Sequence, residues 1–244
     1  MSPDSTERRR AIRPKRRDPE RSRQRILDVA ITEFAQFGLG GARVDRITKK
    51  AGVNARMLYH YFGSKEHLFT AVLEEVYGSF LRFQQSLRLA ELSPVEGIRQ
   101  LVRGMWAFYR DNPEFISIVG AENRHMAAHL RASTRKRELQ LPILEVLKDL
   151  LKRGVAEGVF RSGVDPIQLY ISLAALGYFY FSNQHTLSTV VQRNLMTERA
   201  LKMRRAHVEQ AIYALVLSER GQEHMAARNR SYARKRANKA PVQP

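Results

Sequence analysis

Ile47-Thr48-Lys49-Lys50-Ala51-Gly52-Val53-Asn54 and, after Ala55-Arg56-Met57, Leu58-Tyr59-His60-Tyr61-Phe62-Gly63-Ser64-Lys65-Glu66 are the residues that decide the fold. A short helix from about Val44 stops at Gly52, Asn54 can cap a second running to about Phe62, and Gly63-Ser64 breaks the pattern again. Two short helices separated by Gly52-Val53-Asn54 have the spacing of a helix-turn-helix. In that geometry the second helix lies in the major groove of DNA while the first crosses the backbone. Here the second helix begins with Ala55, Arg56 and Met57, small or extended side chains suited to base edges. Leu58 and Phe62 face inward, with Tyr59, His60 and Tyr61 as hydrogen-bonding aromatics beside them. Arginine takes guanine in a bidentate manner, whereas tyrosine, histidine and lysine more often hold phosphate.

Outward from this centre the chain reads as helix after helix, without sustained period-2 alternation or internal repeat. Asp18-Pro19-Glu20 is a helix start, and Ile26, Ala30, Phe34 and Phe37 form an apolar stripe that stops at Gly38. Gly40 and Gly41 then turn the chain. Ser64 opens a long helix expected to reach about Leu89. Ser93-Pro94-Val95-Glu96 combines a capping box with proline at the first helical position. Asn112-Pro113-Glu114 starts a helix expected to continue to about Leu130, and another is expected from about Leu139 to Glu157. Asp165-Pro166 caps a helix that is apolar on nearly all sides through Phe181, and Thr197-Glu198 opens the last one. The expected architecture is all-α: a helix-turn-helix, three-helix DNA-binding head (residues 18–65) and a C-terminal helical-bundle domain for ligand binding and dimerisation (66–219), between disordered basic tails (1–17 and 220–244).

The 244 residues carry 42 Lys and Arg against 24 Asp and Glu, a net charge of +18. The excess is uneven. Residues 1–17 hold seven basic and two acidic residues, 220–244 seven and one, and 18–65 nine and five. Residues 66–219 are nearly balanced, with 19 basic and 16 acidic. Such a chain seeks a polyanion, and nucleic acid fits better than membrane because the tails lack interleaved aromatics or an amphipathic pattern. The tails are either solvated ends or non-specific phosphate tethers. Cysteine is absent, which excludes disulfides, thiolate metal sites and a cysteine nucleophile. No segment is long enough to span a bilayer, the basic start is not a signal peptide, and a cytoplasmic location is expected.

The quoted stretch strongly resembles the DNA-binding domain of TetR-type transcriptional regulators. The resemblance covers about residues 22–70, and its Leu58-Tyr59-His60-Tyr61-Phe62-Gly63-Ser64-Lys65 core is highly specific. It implies homodimeric repressors whose C-terminal body binds a small effector. It also implies a pseudo-palindromic double-stranded operator as partner, with base or groove contacts from Arg46, Ala55, Arg56, Met57 and His60. Phosphate contacts are implied from Tyr59, Tyr61 and Lys65, with Arg43 and Asn54 on the same surface. Amides at the helix N-terminus of Ser64 to Glu66 would add to these. Many members have Gly-Thr where this chain has Arg56-Met57, so the sequence it reads is its own.

The body says less. A ligand pocket among Trp106, Phe108, Tyr109, Tyr178 and Phe179 is one reading, with polarity from Asn123, Arg124, His125 or His185; ordinary packing is the other. Asn123-Arg124 and the run Phe181 to Ser188 resemble a TetR branch associated with catabolism of small aromatic or heterocyclic compounds. Small residues Ala174, Ala175 and Gly177 make the Tyr170–Phe181 helix, with the one spanning 198–217, a candidate dimer interface; a plain core helix is the alternative. Glu122, His125 and His129 fall at i, i+3 and i+7 of the helix expected there, a weak metal candidate, and no cofactor is expected. No dinucleotide loop, P-loop, HExxH motif or nucleophile elbow is present, so an enzyme is not expected. A DNA-binding or architectural protein without ligand response is the alternative to an effector-controlled repressor.

Overall fold

The computed structural model describes residues 19–135, 142–223, 225 and 226. The basic tail 1–17, most of the C-terminal tail and the expected start of the helix near Leu139 lie outside the described residues. The head comprises α1 (Pro19–Gly41), α2 (Val44–Ala51) and α3 (Ala55–Phe62). Its breaks follow from residues with the right local chemistry. Gly52 closes α2 in the left-handed conformation, φ 65°. The Asn54 side chain accepts the Met57 N–H at 2.8 Å, and Ser64 accepts the His67 N–H at 3.1 Å to open α4 (Lys65–Ser86).

The α1 stripe differs from expectation at its end. Ile26, Ala30 and Phe34 are buried, but Phe37 is 41% exposed. The backbone leaves helical geometry at Gly38 (φ 64°, ψ −179°), and the Arg46 guanidinium lies 4.2 Å from the centroid of the Phe37 ring. Phe37 is thus a platform for a cation. Inside the same helix sits Glu33, with no exposed side-chain surface. Its carboxylate accepts the Arg43 backbone N–H at 3.1 Å and the Arg46 guanidinium at 2.6 Å, with Lys50 at 4.0 Å. Arg46 also donates to the Gly41 carbonyl at 2.8 Å. This clamp joins α1 to the first turn of α2, where Arg43, the capping residue, offers no side-chain cap of its own.

In the body, α4 ends at Ser86, short of Leu89, because Arg88 turns left-handed (φ 48°) into a 3₁₀ turn at Leu89–Glu91. Helix α5 (Pro94–Asp111) starts as expected, yet the Ser93 side chain makes no capping bond; Glu96 accepts from Arg99 at 3.1 Å. The helix expected from Asn112 to Leu130 is two, α6 (Pro113–Arg124) and α7 (Ala128–Ala132). Met126 and Ala127 take positive φ between them. The break is stabilised by Glu122, whose carboxylate accepts the N–H groups of His129 at 2.9 Å and Leu130 at 3.0 Å. Helices α8 (Ile143–Ala156), α9 (Pro166–Ser182), α10 (Gln184–Val190) and α11 (Glu198–Val216) complete the bundle. Asp165 caps α9 through the Gln168 N–H at 2.8 Å. One hydrophobic core runs from Ile26 and Leu58 in the head to Val216 in the body, and α1 packs on α6 as well as on α2 and α4.

Within the body, Phe80, Phe108 and Phe115 pack ring to ring at 4.8–5.3 Å, with Tyr77 and Tyr109 against them. Burial pushes the Tyr77 hydroxyl up to about 12. The unfolded chain therefore loses this proton first, and stability falls as pH rises from about 10 toward 12. An alkaline unfolding series should show a loss that Tyr77→Phe reduces.

Replacing Arg46 with alanine leaves the buried Glu33 carboxylate without its nearest cation, and should destabilise the protein by about 3 kcal/mol in urea denaturation.

Candidate nucleic-acid interface

Helix α3 is anchored from inside and open outside. Leu58 and Phe62 are buried in the common core, with the Arg23 guanidinium 5.2 Å from the Phe62 ring. On the open side Arg56 and His60 are exposed, and Tyr59 is 47% exposed, too much for a packing aromatic. Among the described residues no carboxylate pairs with Arg56. Its guanidinium is therefore available to a base edge or phosphate without first breaking an ion pair. Ala55, Met57, Tyr61 and Lys65 are half-buried around it, and the Tyr61 ring sits 5.5 Å from His60. Asn54 and Arg43 are exposed, but the Asn54 carbonyl oxygen is occupied by its capping bond.

Two expected contacts are placed differently. Arg46, expected at a base or groove, spends its guanidinium on Glu33, the Gly41 carbonyl and the Phe37 ring. It positions α2 rather than projecting a free cation. At the start of α4, the Glu66 carboxyl is held below the usual carboxylate range by its own backbone N–H and then by the Ser64 hydroxyl. One of the amides expected to face phosphate thus already faces a carboxylate. Glu33, the residue the motif omits, carried a signal: an acid beside Phe34 and seven positions after Ile26, on the inward face of an otherwise apolar stripe.

The ligand candidates divide as sharply. Tyr109 and Tyr178 line an open cleft of about 730 Å³ between α1, α5, α6, α9 and α10, together with Arg124 and His185. Trp106 does not line it; it is buried against Tyr180 and Phe181, with ring centroids 5.5 and 4.8 Å away. Phe108 belongs to the aromatic core, Asn123 is on the surface bonded to the Val119 carbonyl at 3.1 Å, and Phe179 is 53% exposed on the outer side of α9. Glu122, His125 and His129 do not share one helix face, although the His125 and His129 rings lie 5.5 Å apart. Glu122 is on α6 and His129 on α7, and the Glu122 carboxylate is taken up by two backbone N–H groups and by His129 Nδ1 at 2.7 Å. Among the described residues no three His, Asp or Glu side chains cluster as metal ligands.

A capped recognition helix with an exposed Arg-Tyr-His face, carried on a three-helix head and a helical body, defines a helix-turn-helix DNA-binding regulator. Residues 26–72 match the bacterial regulatory proteins of the tetR family, and 94–212 match the tetracyclin repressor-like C-terminal domain. The chain is 39% identical over 181 residues to the HTH-type transcriptional repressor NicS of Pseudomonas putida, spanning 74% of this chain and 85% of that protein. It is 30% identical over 164 residues to the HTH-type transcriptional repressor KstR2 of Mycolicibacterium smegmatis, spanning 62% of this chain and 74% of that one. In fold it resembles a TetR-family transcriptional regulator from Mesorhizobium loti, with TM-score 0.61 at 20% identity over 84% of this chain and 100% of that one. It also resembles FadR of Bacillus subtilis, solved with stearoyl-CoA, with TM-score 0.56 at 18% identity over 78% and 97%. The chain belongs to the TetR family of transcriptional regulators; it is a DNA-binding regulator, not an enzyme.

Arg56→Ala should cost about 1–3 kcal/mol on the preferred site and relax choice at one or two base positions. Lys65→Ala should instead weaken all sequences alike and flatten the salt dependence. Titrations on specific and random duplexes at several salt concentrations separate the two.

Proposed function

We propose that the chain is a homodimeric repressor, released from a pseudo-palindromic operator by a small aromatic or heterocyclic effector. Residues 18–65 read the DNA and residues 66–219 receive the effector and form the dimer. The observation that carries this reading is the exposed Arg56, Tyr59 and His60 on a helix fixed by its Asn54 cap and buried Leu58. Arg56 and Met57 face bases, and Tyr59, Tyr61 and Lys65 hold phosphate.

The dimer has its own support. Ile167, Ile171, Ala175 and Phe179 recur at four-residue steps along α9 and are all exposed, and Met203 and Leu215 are exposed on α11, which packs beside it. Apolar stripes on neighbouring helices suit a self-complementary interface between two copies. Such a dimer sets two recognition helices roughly 34–36 Å apart, in successive major grooves. An effector that prefers another spacing of the heads lowers DNA affinity by that difference in its own affinity, and by no more. The cleft of about 730 Å³ favours this over a DNA-binding protein without ligand response. Relatives named as repressors support repression as the sign of control. No described helix is long and apolar enough to cross a membrane, and a regulator of this kind works in the cytoplasm beside its DNA.

Light scattering after size exclusion should give twice the chain mass for the parent and the chain mass for Phe179→Asp, with operator affinity falling alongside. Selection of bound DNA from random pools should return an inverted repeat. Deleting residues 1–17, with their seven basic and two acidic residues, should shrink the salt slope while leaving the selected sequence unchanged.

A further inference from the structure

The cleft that takes in Tyr109 and Tyr178 touches the head as well as the body. Its floor is the stretch of α1 from Phe34 to Gly38, and its walls come from the end of α5 and from α6, α9 and α10. No Asp or Glu lines it, whereas two arginines and His185 do. Arg110 is already neutralised by Asp111, in two bonds of 2.6 and 2.9 Å. Arg124 pairs with no carboxylate among the described residues. It lies close enough to Tyr178 for its charge to pull the phenol's pKa down against the rise from burial. The Tyr178 hydroxyl donates to the Ile116 carbonyl at 3.1 Å, which fixes the ring. Gly120 keeps the space beside them open, since a Cβ there would stand 3.3 Å from the Tyr178 hydroxyl and 3.9 Å from Arg124 Nη1.

We infer that this head–body cleft binds a planar organic anion, its negative group on Arg124 and its ring between Tyr178 and Phe181, and that occupancy acts on the DNA-reading helices through Phe37. The inference rests on the effector-controlled reading above and adds the place, the charge and the route. A guanidinium offers a planar fork for a carboxylate or sulfonate, and aromatic walls favour a flat body. The volume of about 730 Å³ suits a small molecule. The route is short. Phe37 lines the cleft on one side and supports the Arg46 guanidinium at 4.2 Å on the other, and Arg46 holds α2 through Glu33 and the Gly41 carbonyl. A ligand that shifts Phe37 changes the seat of Arg46, and with it the set of α2 and α3, without the signal travelling along α4.

The test uses the full chain and two dyes with the same rings, anilinonaphthalene sulfonate and the uncharged N-phenylnaphthylamine. The sulfonate should bind, and Arg124→Gln should weaken it about tenfold while changing the neutral dye less than about twofold. Gly120→Leu, which fills the cleft, should weaken both. The sulfonate should also release operator DNA from the parent protein at concentrations that leave the Arg124→Gln complex intact. Equal loss of both dyes in Arg124→Gln, or undiminished binding in Gly120→Leu, would overturn the proposed site. Dye binding that follows the expected pattern without any release of DNA would overturn the route through Phe37. If the parent protein shows no preference for any DNA sequence, the regulatory reading fails instead, and the dye titrations still decide the chemistry of the cleft.

Discussion

Taking a carboxylate out of water costs several kcal/mol unless charge and hydrogen bonds replace what water supplied, and the head of this regulator is arranged around that constraint. Glu33 is fully buried and has three claimants: the Arg43 N–H, the Arg46 guanidinium and, more distantly, Lys50. All three belong to α2 or its cap, so satisfying one side chain of α1 fixes the axial position and rotation of the neighbouring helix. The Gly52 turn and the Asn54 cap then leave α3 little freedom, and Leu58 in the core removes more. The exposed Arg56, Tyr59 and His60 therefore hold their places because of an acid with no exposed surface of its own.

The head was legible in the sequence because its boundaries are made by residues whose local chemistry has one outcome. A glycine in the left-handed conformation at Gly52 and side-chain caps at Asn54 and Ser64 need no distant partner. The misreadings share the opposite cause. The break between α6 and α7 has no glycine or proline to announce it; a carboxylate four residues upstream of Met126 captures two N–H groups of the following turn. Phe37 fits a core stripe by spacing, but the backbone change at Gly38 and the approach of Arg46 turn it outward. Trp106 and Phe179 look alike as pocket aromatics, and only the packing sends one into the core and the other onto the surface. The role of Arg46 depends on Glu33, thirteen positions away, which no motif of the helix-turn-helix includes.

The charge distribution acquires a narrower meaning from the fold. The near-balanced body pairs much of its charge internally, as in the Arg103–Glu209 and Arg153–Asp149 bridges at 2.9 and 2.8 Å. Against that background, Arg124 in the cleft and Arg56 on the head each stand without a carboxylate partner among the described residues. The proposed DNA contact and the proposed effector cleft each rest on such a guanidinium.

Trp106 is the only tryptophan in 244 residues, and it is packed between Tyr180 and Phe181 deep in the body, while the head has none. Intrinsic indole emission is therefore a probe of the body alone, silent about α1 to α3. Helical circular dichroism sees both. Because one hydrophobic core spans the two parts, the two signals should fade together on denaturation. Any interval between them measures how loosely the DNA-reading unit is attached to the rest of the molecule, using only optical properties the chain already possesses.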